Sequence, residues 1–456
     1  MQAFTSSSRF YFQSLVIVIS LFGLLICQQT QAAERPNIVF IFSDDHAVQA
    51  ISAYGSQINQ TPHIDRLARE GALFANSFCA NSLCGPSRAC ILTGKHSHLN
   101  GFLRNGNRFD SKQTTFPPLL RQAGYQTAVI GKWHLGTDPV GFDYWEVLPG
   151  QGSYYNPVFL QMDGSRKRRQ GYCTDLITDR SLTWLEEQRD PDKPFLLMCQ
   201  HKAPHRNWSP AQRHFSLYQN EKIPEPETLH DGYANRSPLL QENEMTLREH
   251  MHWAHDMKLH GKNQFPKYFK DKHKNGEYRR MTEQQKQAWD AHYKPENQAF
   301  LQQMRAGELT DEQILSWKYQ RYIKDYLRSI AAVDDGVGRI LDYLDESGLA
   351  ENTLVIYSSD QGFYLGEHGW YDKRWMFEES LKMPFVARWP GKIAAGARPQ
   401  ALIQNIDYGP TFLELAGVEV PAEMQGRSLL PVLQNEGLAE AEKQDNGRQA
   451  GAQIPA

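Results

Sequence analysis

One cysteine of the sequence stands in a context suited to binding an anion. Cys84 is followed by Gly85-Pro86-Ser87-Arg88 and then by the apolar run 89–92. This pattern predicts that Cys84 lies at the N-terminus of a helix, where backbone N–H groups and the helix dipole favour negative charge. Arg88, one turn further along, could donate two hydrogen bonds to the same anion. The alternative is a small buried cysteine that precedes a helix and has no chemical role.

Acids, lysines and histidines also follow four apolar runs of the chain. The runs and the polar segments after them are 36–42 with Ser43-Asp44-Asp45-His46, 126–130 with Gly131-Lys132-Trp133-His134, 195–199 with His201-Lys202-Ala203-Pro204-His205, and 353–357 with Ser358-Ser359-Asp360-Gln361-Gly362. Continuous apolar runs of this length are typical of buried parallel strands. Ligands of parallel sheets bind outside the carboxyl ends of the strands. The sequence therefore predicts one site that gathers these polar side chains.

Helical patterns alternate with the predicted strands. Thr61 and Pro62 form a helix N-cap and first-turn pair, and the helix that they open is predicted to end near Gly71. Further helices are predicted over 174–188, over 323–344 before Gly348, and from Asp407 to Gly417. This alternation predicts an α/β fold in which helices cover both faces of a mostly parallel central sheet.

The composition excludes two classes of protein. The chain has 456 residues, of which 40% are hydrophobic and 11% aromatic, so it can bury a large core and is not globally disordered. The 49 basic and 52 acidic side chains give a net charge of −3. This balance indicates neither a nucleic-acid-binding protein nor a strongly acidic, solvating chain.

The first 32 residues are predicted to be a signal peptide. Arg9 precedes an apolar stretch from Leu15 to Ile26, and Thr30-Gln31-Ala32 offers small residues for cleavage. This stretch is shorter than the roughly 20 residues that a membrane-spanning helix needs. The alternative is a lipoprotein anchor at Cys27, but Ile26 stands where such an anchor requires a small residue. We expect a periplasmic or secreted protein without stable membrane insertion.

Export would make the remaining cysteines informative. They are Cys79, Cys84, Cys90, Cys173 and Cys199. Because their number is odd, at least one thiol is expected to stay unpaired or to be chemically altered in an oxidising compartment. A domain of this size does not need disulfides, so all of them could equally be ordinary buried residues.

Two segments differ in composition from the rest of the predicted catalytic domain, residues 33–434. Residues 207–320 are rich in polar, charged and aromatic side chains and predict a polar helical insertion. This insertion either forms a wall of the substrate cleft or is a solvated excursion from the core. Residues 435–456 contain almost no large apolar side chain and predict a disordered tail.

The motif around Cys84 resembles the signature of the type I sulfatases. Its pattern is C-x-P-S-R followed by Leu92-Thr93-Gly94, and the resemblance extends along the chain from residue 36 to residue 433. The resemblance implies the alkaline-phosphatase-like sulfatase fold and hydrolysis of sulfate esters. It also implies that a formylglycine-generating maturation enzyme oxidises Cys84 to Cα-formylglycine (3-oxoalanine). The hydrated aldehyde, a geminal diol, would then be the nucleophile.

Two acid-containing pairs match the metal ligands of that family. Asp44 and Asp45 match the first pair, and Asp360 and Gln361 match the second. Three carboxylates and an amide carbonyl form an all-oxygen site that suits Ca²⁺ better than Mg²⁺. The resemblance therefore implies one calcium ion. Many relatives have asparagine where this chain has Gln361, and glutamine keeps the carbonyl but is one methylene longer.

Lys132 and His134 match a lysine-histidine pair that lies beside the formylglycine in the family. Alternation along an extended segment would place both side chains on one side, with Trp133 turned away. The resemblance implies that Lys132 holds the aldehyde hydrate and the sulfate oxygens. It also implies that His134 takes a proton from the diol.

His205 and Lys373 match the pair that flanks the leaving-group oxygen in the family, although Arg374 is adjacent to Lys373. The resemblance implies that His205 protonates the departing alcohol. It further implies that Arg88, the two lysines and the metal neutralise charge on the sulfuryl oxygens.

Two other functions compete with the sulfatase interpretation. A metal-dependent phosphodiesterase or phosphomonoesterase of the alkaline phosphatase superfamily would share the fold. Such enzymes use serine or threonine as the nucleophile and commonly bind two zinc ions, whereas this chain has a cysteine and one oxygen-rich acidic set. A non-catalytic glycan-binding relative would not need the complete set of Cys84, Arg88, Lys132, His134 and His205.

The substrate is predicted only as a class. Export and the aromatic stretch 145–159 are similar to features of bacterial carbohydrate sulfatases. This similarity implies a sulfated saccharide, such as 6-O-sulfated N-acetylglucosamine, and leaves the sugar and the sulfate position open.

The C-terminal part departs from the family pattern. Relatives usually continue past a Gly-Arg-Ser-Leu-Leu-Pro stretch, here 426–431, into a smaller subdomain with an antiparallel sheet, whereas this chain continues into the predicted tail. We therefore expect the usual C-terminal subdomain to be missing.

Overall fold

The structure is a computed structural model that describes residues 35–259 and 275–434. The predicted signal peptide and the predicted tail lie outside these residues, and so does the part of the predicted insertion from 260 to 274. The described chain is organised around a sheet of nine strands.

The strands confirm a mostly parallel core. Their bounds are β1 Asn37–Ser43, β2 Ala72–Leu73, β3 Ser77–Phe78, β4 Gln126–Lys132, β5 Tyr144–Leu148, β6 Val158–Gln161, β7 Arg166–Arg168, β8 Phe195–Gln200, β9 Thr353–Ser359, β10 Tyr364–Leu365, β11 Tyr371–Asp372, β12 Phe385–Arg388 and β13 Ile403–Gln404. The main sheet has the order β2-β12-β9-β1-β8-β4-β5-β6-β7. Strands β9, β1, β8, β4 and β5 run parallel. At the two edges, β12 and β6 run antiparallel to their neighbours β9 and β5.

The four strands predicted from apolar runs are β1, β4, β8 and β9, and they are adjacent in the parallel core. Ile38 of β1 pairs with Leu196 of β8 on one side and with Leu354 of β9 on the other. All seven residues of β1 and of β9 are buried. Burial on both faces explains why these strands read as continuous apolar runs.

The helices account for the helical patterns of the sequence. Their bounds are α1 Pro62–Glu70, α2 Cys84–Thr93, α3 Ser97–Asn100, α4 Phe116–Gln122, α5 Cys173–Thr183, α6 Gly276–Arg280, α7 Glu283–Ala306, α8 Asp311–Glu346, α9 Glu378–Leu381, α10 Tyr408–Leu415 and α11 Leu430–Leu433. A π-helical turn, Trp184–Gln188, continues α5, and short 3₁₀ turns occur at Val48–Ala50, Ser52–Tyr54, Gln212–His214, Pro238–Glu242, Ala350–Asn352, Glu367–Gly369 and Asn405–Asp407. The predicted helices after Thr61, over 174–188 and after Asp407 are therefore present.

Helices cover both faces of the sheet, as predicted. Successive residues of β1 point to opposite faces because side chains alternate along a strand. Phe40 packs in one core with Leu92 of α2 and Phe412 of α10. Ile41 packs in a second core with Val337 and Ile340 of α8. The helix that begins at Cys84 is thereby fixed against one face of the sheet.

Helix α8 begins earlier than the sequence pattern indicated and crosses the predicted end of the insertion at residue 320. It is started by a capping box, in which Thr310 and Gln313 bond each other's backbone N–H groups. Leu315 and Tyr319 are the buried side chains of its first turns. Aromatic and aliphatic residues alternate on this face, so the spacing of aliphatic residues alone indicates a later start.

The predicted insertion contains two different kinds of structure. Residues 276–306 are helical, whereas 207–259 are irregular apart from short 3₁₀ turns. The irregular part is nevertheless packed: Leu247, Met251, Met257 and Leu259 are buried in a cluster with residues of α8. We therefore describe residues 207–259 as a packed layer.

The cysteines and the membrane test complete the description. Within residues 35–259 and 275–434, no helix has both the length and the apolar character needed to cross a membrane. The five cysteines of these residues are all buried and unpaired. No disulfide forms among them, and the expectation of an unpaired or chemically altered thiol stays a prediction.

Candidate active site

The carboxyl ends of four adjacent parallel strands bring the predicted residues together. Asp44 and Asp45 follow β1, and Asp360 and Gln361 follow β9. Lys132 ends β4, and His205 lies in the loop after β8. Helix α2 contributes Cys84 and Arg88, and Lys373 directly follows β11. Each of these nine side chains contacts at least one of the others. The clustering that the sequence predicted is therefore present.

Three carboxylates form the centre of the cluster. Single oxygens of Asp44, Asp45 and Asp360 lie within 4.8 Å of one another, and all three residues are buried. Consecutive side chains of a strand would point to opposite sides, but Asp45 has a left-handed backbone with φ 68°. This turn lets both acids face the same site, and the Asp45 N–H donates to Asp360 Oδ1 at 3.0 Å.

The acid cluster fits a hard cation. Asp44 Oδ1 and Gln361 Oε1 are buried and accept no hydrogen bond within the described chain. The amine nitrogens of Lys132 and Lys373 lie directly on Asp44 and Asp45, although burial lowers the pKa of Lys132 well below its ordinary value. Burial, opposed by Lys373, raises the pKa of Asp45 to about 7. A bound cation would favour the charged carboxylates instead.

The Gln361 amide is oriented with Nε2 toward Asp45 Oδ1. Amide oxygen and nitrogen are assigned from the hydrogen-bond network, and a half-turn exchanges them. With that half-turn, Oε1 would face the carboxylates and complete an all-oxygen set. The longer glutamine side chain is therefore compatible with the ligand position that the sequence resemblance implied.

Cys84 is the first residue of α2, as the motif predicted. Its Sγ lies 3.9 Å from Asp45 Oδ1 and the residue is fully buried. Burial raises the pKa of the thiol to about 12, so the unmodified side chain stays protonated and unreactive. A side chain in place of Gly85 would displace its neighbours, because an added Cβ would lie 2.7 Å from Phe102 Cε1 and 3.0 Å from Asn105 Oδ1.

Arg88 ties helix α2 to two strand ends. Its Nε and Nη2 donate to Asp360 Oδ2 at 3.3 and 3.1 Å. Its Nη1 donates to the Lys132 carbonyl at 2.6 Å and to Gln200 Oε1 at 3.2 Å. The guanidinium carbon is 4.9 Å from the centroid of the Phe42 ring. These contacts hold a permanent positive charge next to the acid cluster.

Lys132 and His134 lie at the end of β4 with different surroundings. Lys132 Nζ pairs with Asp44 and donates to Gln151 Oε1 at 2.5 Å. His134 has φ 58°, and its buried Nδ1 has no hydrogen-bond partner in the described residues. Burial and the charge of Lys132 lower the pKa of His134 to about 2, so the ring is neutral. Trp133 packs in the core, turned away from the acids.

His205 reaches the cluster from the loop after β8. Its Nε2 is 3.8 Å from Asp45 Oδ2, and 14% of its side chain is exposed. Its Nδ1 is 2.7 Å from the Arg206 carbonyl. Burial, together with the charges of Lys132 and Lys373, lowers the pKa of His205 well below its ordinary value. The imidazole is therefore neutral in this structure.

Lys373 and the adjacent Arg374 are distinguished by the structure. Lys373 Nζ lies 2.6 and 2.7 Å from the two carboxylate oxygens of Asp45. Burial alone would lower the pKa of Lys373, but the charge of Asp45 raises it above its ordinary value. Arg374 points away, is 47% exposed and pairs with Asp372. Lys373 is therefore the cation of this pair that faces the acids.

Two glutamines of the site were missed by the sequence analysis. Gln200 ends β8 and accepts from Arg88, and Gln151 follows β5 and accepts from Lys132. Both lie at carboxyl ends of parallel strands, where polar residues were expected. The signal was present, but neutral amides after an apolar run are too common to be singled out.

Comparisons with known proteins identify the family. The family described as Sulfatase matches residues 36–418. An N-acetylglucosamine-6-O-sulfatase of Bacteroides thetaiotaomicron is 46% identical over 434 residues, which cover 94% of this chain and 76% of that protein. A human N-acetylglucosamine-6-sulfatase is 27% identical over 425 residues, covering 88% of this chain and 64% of that protein.

One solved structure is similar to this chain in both sequence and fold. It is described as a complex with its substrate, D-glucosamine-2-N,6-O-disulfate. Its sequence is 47% identical, and the two structures superpose with a TM-score of 0.83. The match covers 88% of this chain and 81% of that chain. The chain therefore belongs to the sulfatase family and is a sulfuric ester hydrolase.

Proposed function

We propose that this sulfatase hydrolyses the 6-O-sulfate ester of glucosamine residues in sulfated glycans. The observation that carries the chemistry is the position of Cys84, whose Sγ lies 3.9 Å from Asp45 Oδ1 among buried acids and cations. The Bacteroides relative is named for 6-O-sulfate on N-acetylglucosamine. The similar solved structure contains a glucosamine with 2-N- and 6-O-sulfates. Both names support a glucosamine 6-O-sulfate as the substrate class.

The proposed nucleophile is Cys84 after oxidation to Cα-formylglycine by a maturation enzyme. The unmodified thiol is a poor candidate because burial raises its pKa to about 12, and the thiolate is the reactive form. The hydrated aldehyde supplies two hydroxyl groups on one carbon, one that attacks sulfur and one that allows sulfate to leave without direct attack by water.

Positive charge around Cys84 would stabilise the sulfuryl oxygens. A calcium ion supplies part of that charge when it is bound. The side chains that would hold it are Asp44, Asp45, Asp360 and Gln361. Arg88, Lys132 and Lys373 supply the rest. Neutralising the carboxylates by a metal would release both lysine ammonium groups to face the substrate.

Two histidines divide the proton transfers in this proposal. The buried Nδ1 of His134 has no hydrogen-bond partner in the described residues, so this nitrogen is the one that would take a proton from the diol. His205 Nε2 faces the acid cluster and would give its proton to the departing sugar oxygen. Burial and the neighbouring cations lower the pKa of His205 and keep its ring neutral in this structure. The negative sulfate ester opposes the neighbouring cations, so we expect His205 to take up its proton together with the substrate.

Metal content gives the first test. Purified protein is expected to contain about one calcium ion per chain and little zinc, because the donor atoms are oxygens. A chelator should lower the melting temperature and added calcium should restore it, since an ion that binds only the folded state stabilises that state. Elemental analysis and thermal unfolding measure both effects without reference to turnover.

The matched variants for this test are Asp360→Asn and Asp342→Asn. Asp360→Asn should lower the calcium content and abolish the calcium-dependent rise in melting temperature. Asp342 pairs with Arg66 on the surface and its side chain is 55% exposed, so its variant should keep both properties. Stoichiometric zinc, or a calcium content that Asp360→Asn leaves unchanged, would contradict the proposed metal site.

Defined sulfated saccharides test the substrate. The kcat/KM for glucosamine 6-O-sulfate is expected to exceed that for galactosamine 4-O-sulfate by about 100-fold or more, because a misplaced ester cannot reach the nucleophile in a productive geometry. Phosphate monoesters of the same sugar should be poor substrates. Comparable hydrolysis of the phosphate ester, or a preference for the 4-O-sulfate, would overturn the assignment.

We also propose that the protein is exported and acts as a periplasmic or secreted enzyme. The proposal depends on the pattern of residues 1–32, which lie outside the described residues. Cell fractionation of the expressed chain, with mass spectrometry of its mature N-terminus, tests it.

A further inference from the structure

The ring of His205 is oriented by a hydrogen bond from its Nδ1 to the backbone. Nδ1 lies 2.7 Å from the backbone carbonyl of Arg206. A carbonyl oxygen can only accept, so Nδ1 carries the hydrogen and Nε2 is left for exchange of a proton. Nε2 is the nitrogen that faces Asp45 at 3.8 Å. The direction of the reactive nitrogen is thus set by the position of the Arg206 backbone.

The side chain of Arg206 is in turn held by an ion pair with a buried carboxylate. Its Nε donates to Asp256 Oδ1 at 2.9 Å and its Nη2 to Asp256 Oδ2 at 2.5 Å. Asp256 is fully buried and also accepts from the His252 N–H at 2.8 Å. The guanidinium carbon lies 4.8 Å from the centroid of the Tyr371 ring. A planar, two-point contact of this kind fixes direction as well as distance.

The segment that carries Asp256 also holds the chain leading to Lys373. We call residues 245–258 the clamp segment. The Tyr371 N–H donates to the Met245 carbonyl at 2.9 Å, and the Tyr371 hydroxyl donates to the His250 carbonyl at 2.9 Å. Tyr371 is two residues before Lys373. The clamp segment therefore contacts Arg206, which adjoins His205, and Tyr371, which lies close to Lys373 along the chain. His205 and Lys373 are the residues assigned to the leaving-group side.

The same segment is bonded to the loop that follows His205. Asn207 Nδ2 donates to the His255 carbonyl at 3.1 Å, and Lys258 Nζ donates to the Asn207 carbonyl at 3.0 Å. Asp256 lies between these two contacts. Among the contacts between the clamp segment and this loop, those to Arg206 are the nearest to His205 along the chain.

We propose that Asp256 is a positioning residue for sulfate-ester cleavage. Through Arg206 it orients the His205 imidazole so that Nε2 points at the departing oxygen. This inference rests on the proposed role of His205 as proton donor and adds a residue that does not contact the substrate. It predicts that damage to the Asp256–Arg206 pair selectively slows substrates whose leaving group needs a proton.

The test is Asp256→Asn, which keeps the shape of the side chain and removes its charge. Its kcat on a sugar sulfate is expected to fall about tenfold or more, since a misdirected acid loses part of the roughly 10²–10⁴-fold contribution of proton transfer. Its kcat on a nitrophenyl sulfate should fall less than threefold, and KM for both should change little. A nitrophenolate departs without a proton, so a split between the two substrates indicates impaired proton donation by His205.

A matched control separates positioning from general loss of structure. Asp345 forms another ion pair, with Arg388, whose side chain is 9% exposed. Arg388 is in register with Val355 near the start of β9, whereas the acid cluster follows the end of that strand. Asp345→Asn should lower the melting temperature and affect both sulfates in proportion. Equal proportional losses in Asp256→Asn would overturn the inference.

Two further variants keep the inference falsifiable if Asp256→Asn does not fold. Arg206→Lys retains the charge but loses the two-point contact, so it should show the same leaving-group split to a smaller degree. In a background of His205→Ala, Asp256→Asn or Arg206→Lys should cause no additional loss on the sugar sulfate, because the residue being oriented is absent. An additive loss would indicate a role independent of His205.

The outcomes distinguish this inference from the proposed function. If His205→Ala itself affects both sulfates equally, the assignment of His205 as proton donor fails. If His205→Ala discriminates between them and neither the Asp256 nor the Arg206 variant does, the assignment of His205 stands and the positioning role is wrong.

Discussion

Cys84→Ala is expected to abolish steady-state hydrolysis of every sulfate ester, with a loss in kcat on the order of 10⁴-fold or more, because removal of a nucleophile leaves only binding and charge stabilisation. The matched control is Cys90→Ser in the same helix. Cys90 is also buried, and its Sγ lies 3.5 Å from Ser97 Oγ, so a hydroxyl can replace it. Cys90→Ser should keep turnover within about threefold, the size of an ordinary packing change.

Cys84→Ser separates the aldehyde hydrate from a simple hydroxyl nucleophile. Serine offers one hydroxyl group, so attack on sulfur would leave a sulfated serine without a second hydroxyl to expel the sulfate. We expect at most one turnover per site, visible as a single burst of product and a stable gain of one sulfo group by mass spectrometry. Full steady-state turnover by Cys84→Ser, with residue 84 shown by mass spectrometry to be unmodified serine, would rule out formylglycine as the nucleophile.

Direct detection of the aldehyde completes this prediction. Because Cys84 is fully buried, a maturation enzyme should be co-expressed with the chain and not added to folded protein. Peptide mass spectrometry should then find the aldehyde at Cys84 and unmodified thiols at Cys79, Cys90, Cys173 and Cys199. An unmodified Cys84 in fully active protein would contradict the proposed chemistry.

The parallel core was predictable because a strand that is buried on both faces needs apolar residues at successive positions. Strands β1, β4, β8 and β9 are apolar at successive positions, and their bounds fall within two residues of the expected ones. The edges of the sheet have no such signal. Strand β7, Arg166–Arg168, is entirely exposed and basic, and β2 has two residues, so their pairing depends on tertiary contacts that the local sequence does not indicate.

The site was predictable in position but not in its contacts. Polar residues at the ends of parallel strands must meet at one edge of the sheet, which is why Asp44, Lys132, His205 and Asp360 could be grouped. Which acid pairs with which lysine depends on side-chain geometry between distant positions. The sequence could not indicate that Asp256 lies behind His205, because the irregular segment that carries it follows neither helical nor strand periodicity.

His205→Ala is expected to discriminate between substrates by the quality of the leaving group. A sugar alcohol departs poorly as an anion and needs a proton in the transition state, whereas a nitrophenolate departs readily. General-acid catalysis contributes about 10²–10⁴-fold. The factor by which His205→Ala lowers kcat/KM should therefore be at least about 100 times larger for the sugar sulfate than for the aryl sulfate.

The control for this prediction is His214→Ala. His214 has the same side-chain exposure as His205, 14%, and also faces a carboxylate, with its Nε2 2.8 Å from Asp335 Oδ2. It lies outside the acid cluster, so its loss should affect both substrates in the same small proportion. The comparison requires that cleavage of the sulfate ester limits both rates, which single-turnover kinetics establish. If His205→Ala slows both esters equally, His205 serves binding or structure, and Lys373, which also contacts Asp45, becomes the residue to test for assistance to the departing oxygen.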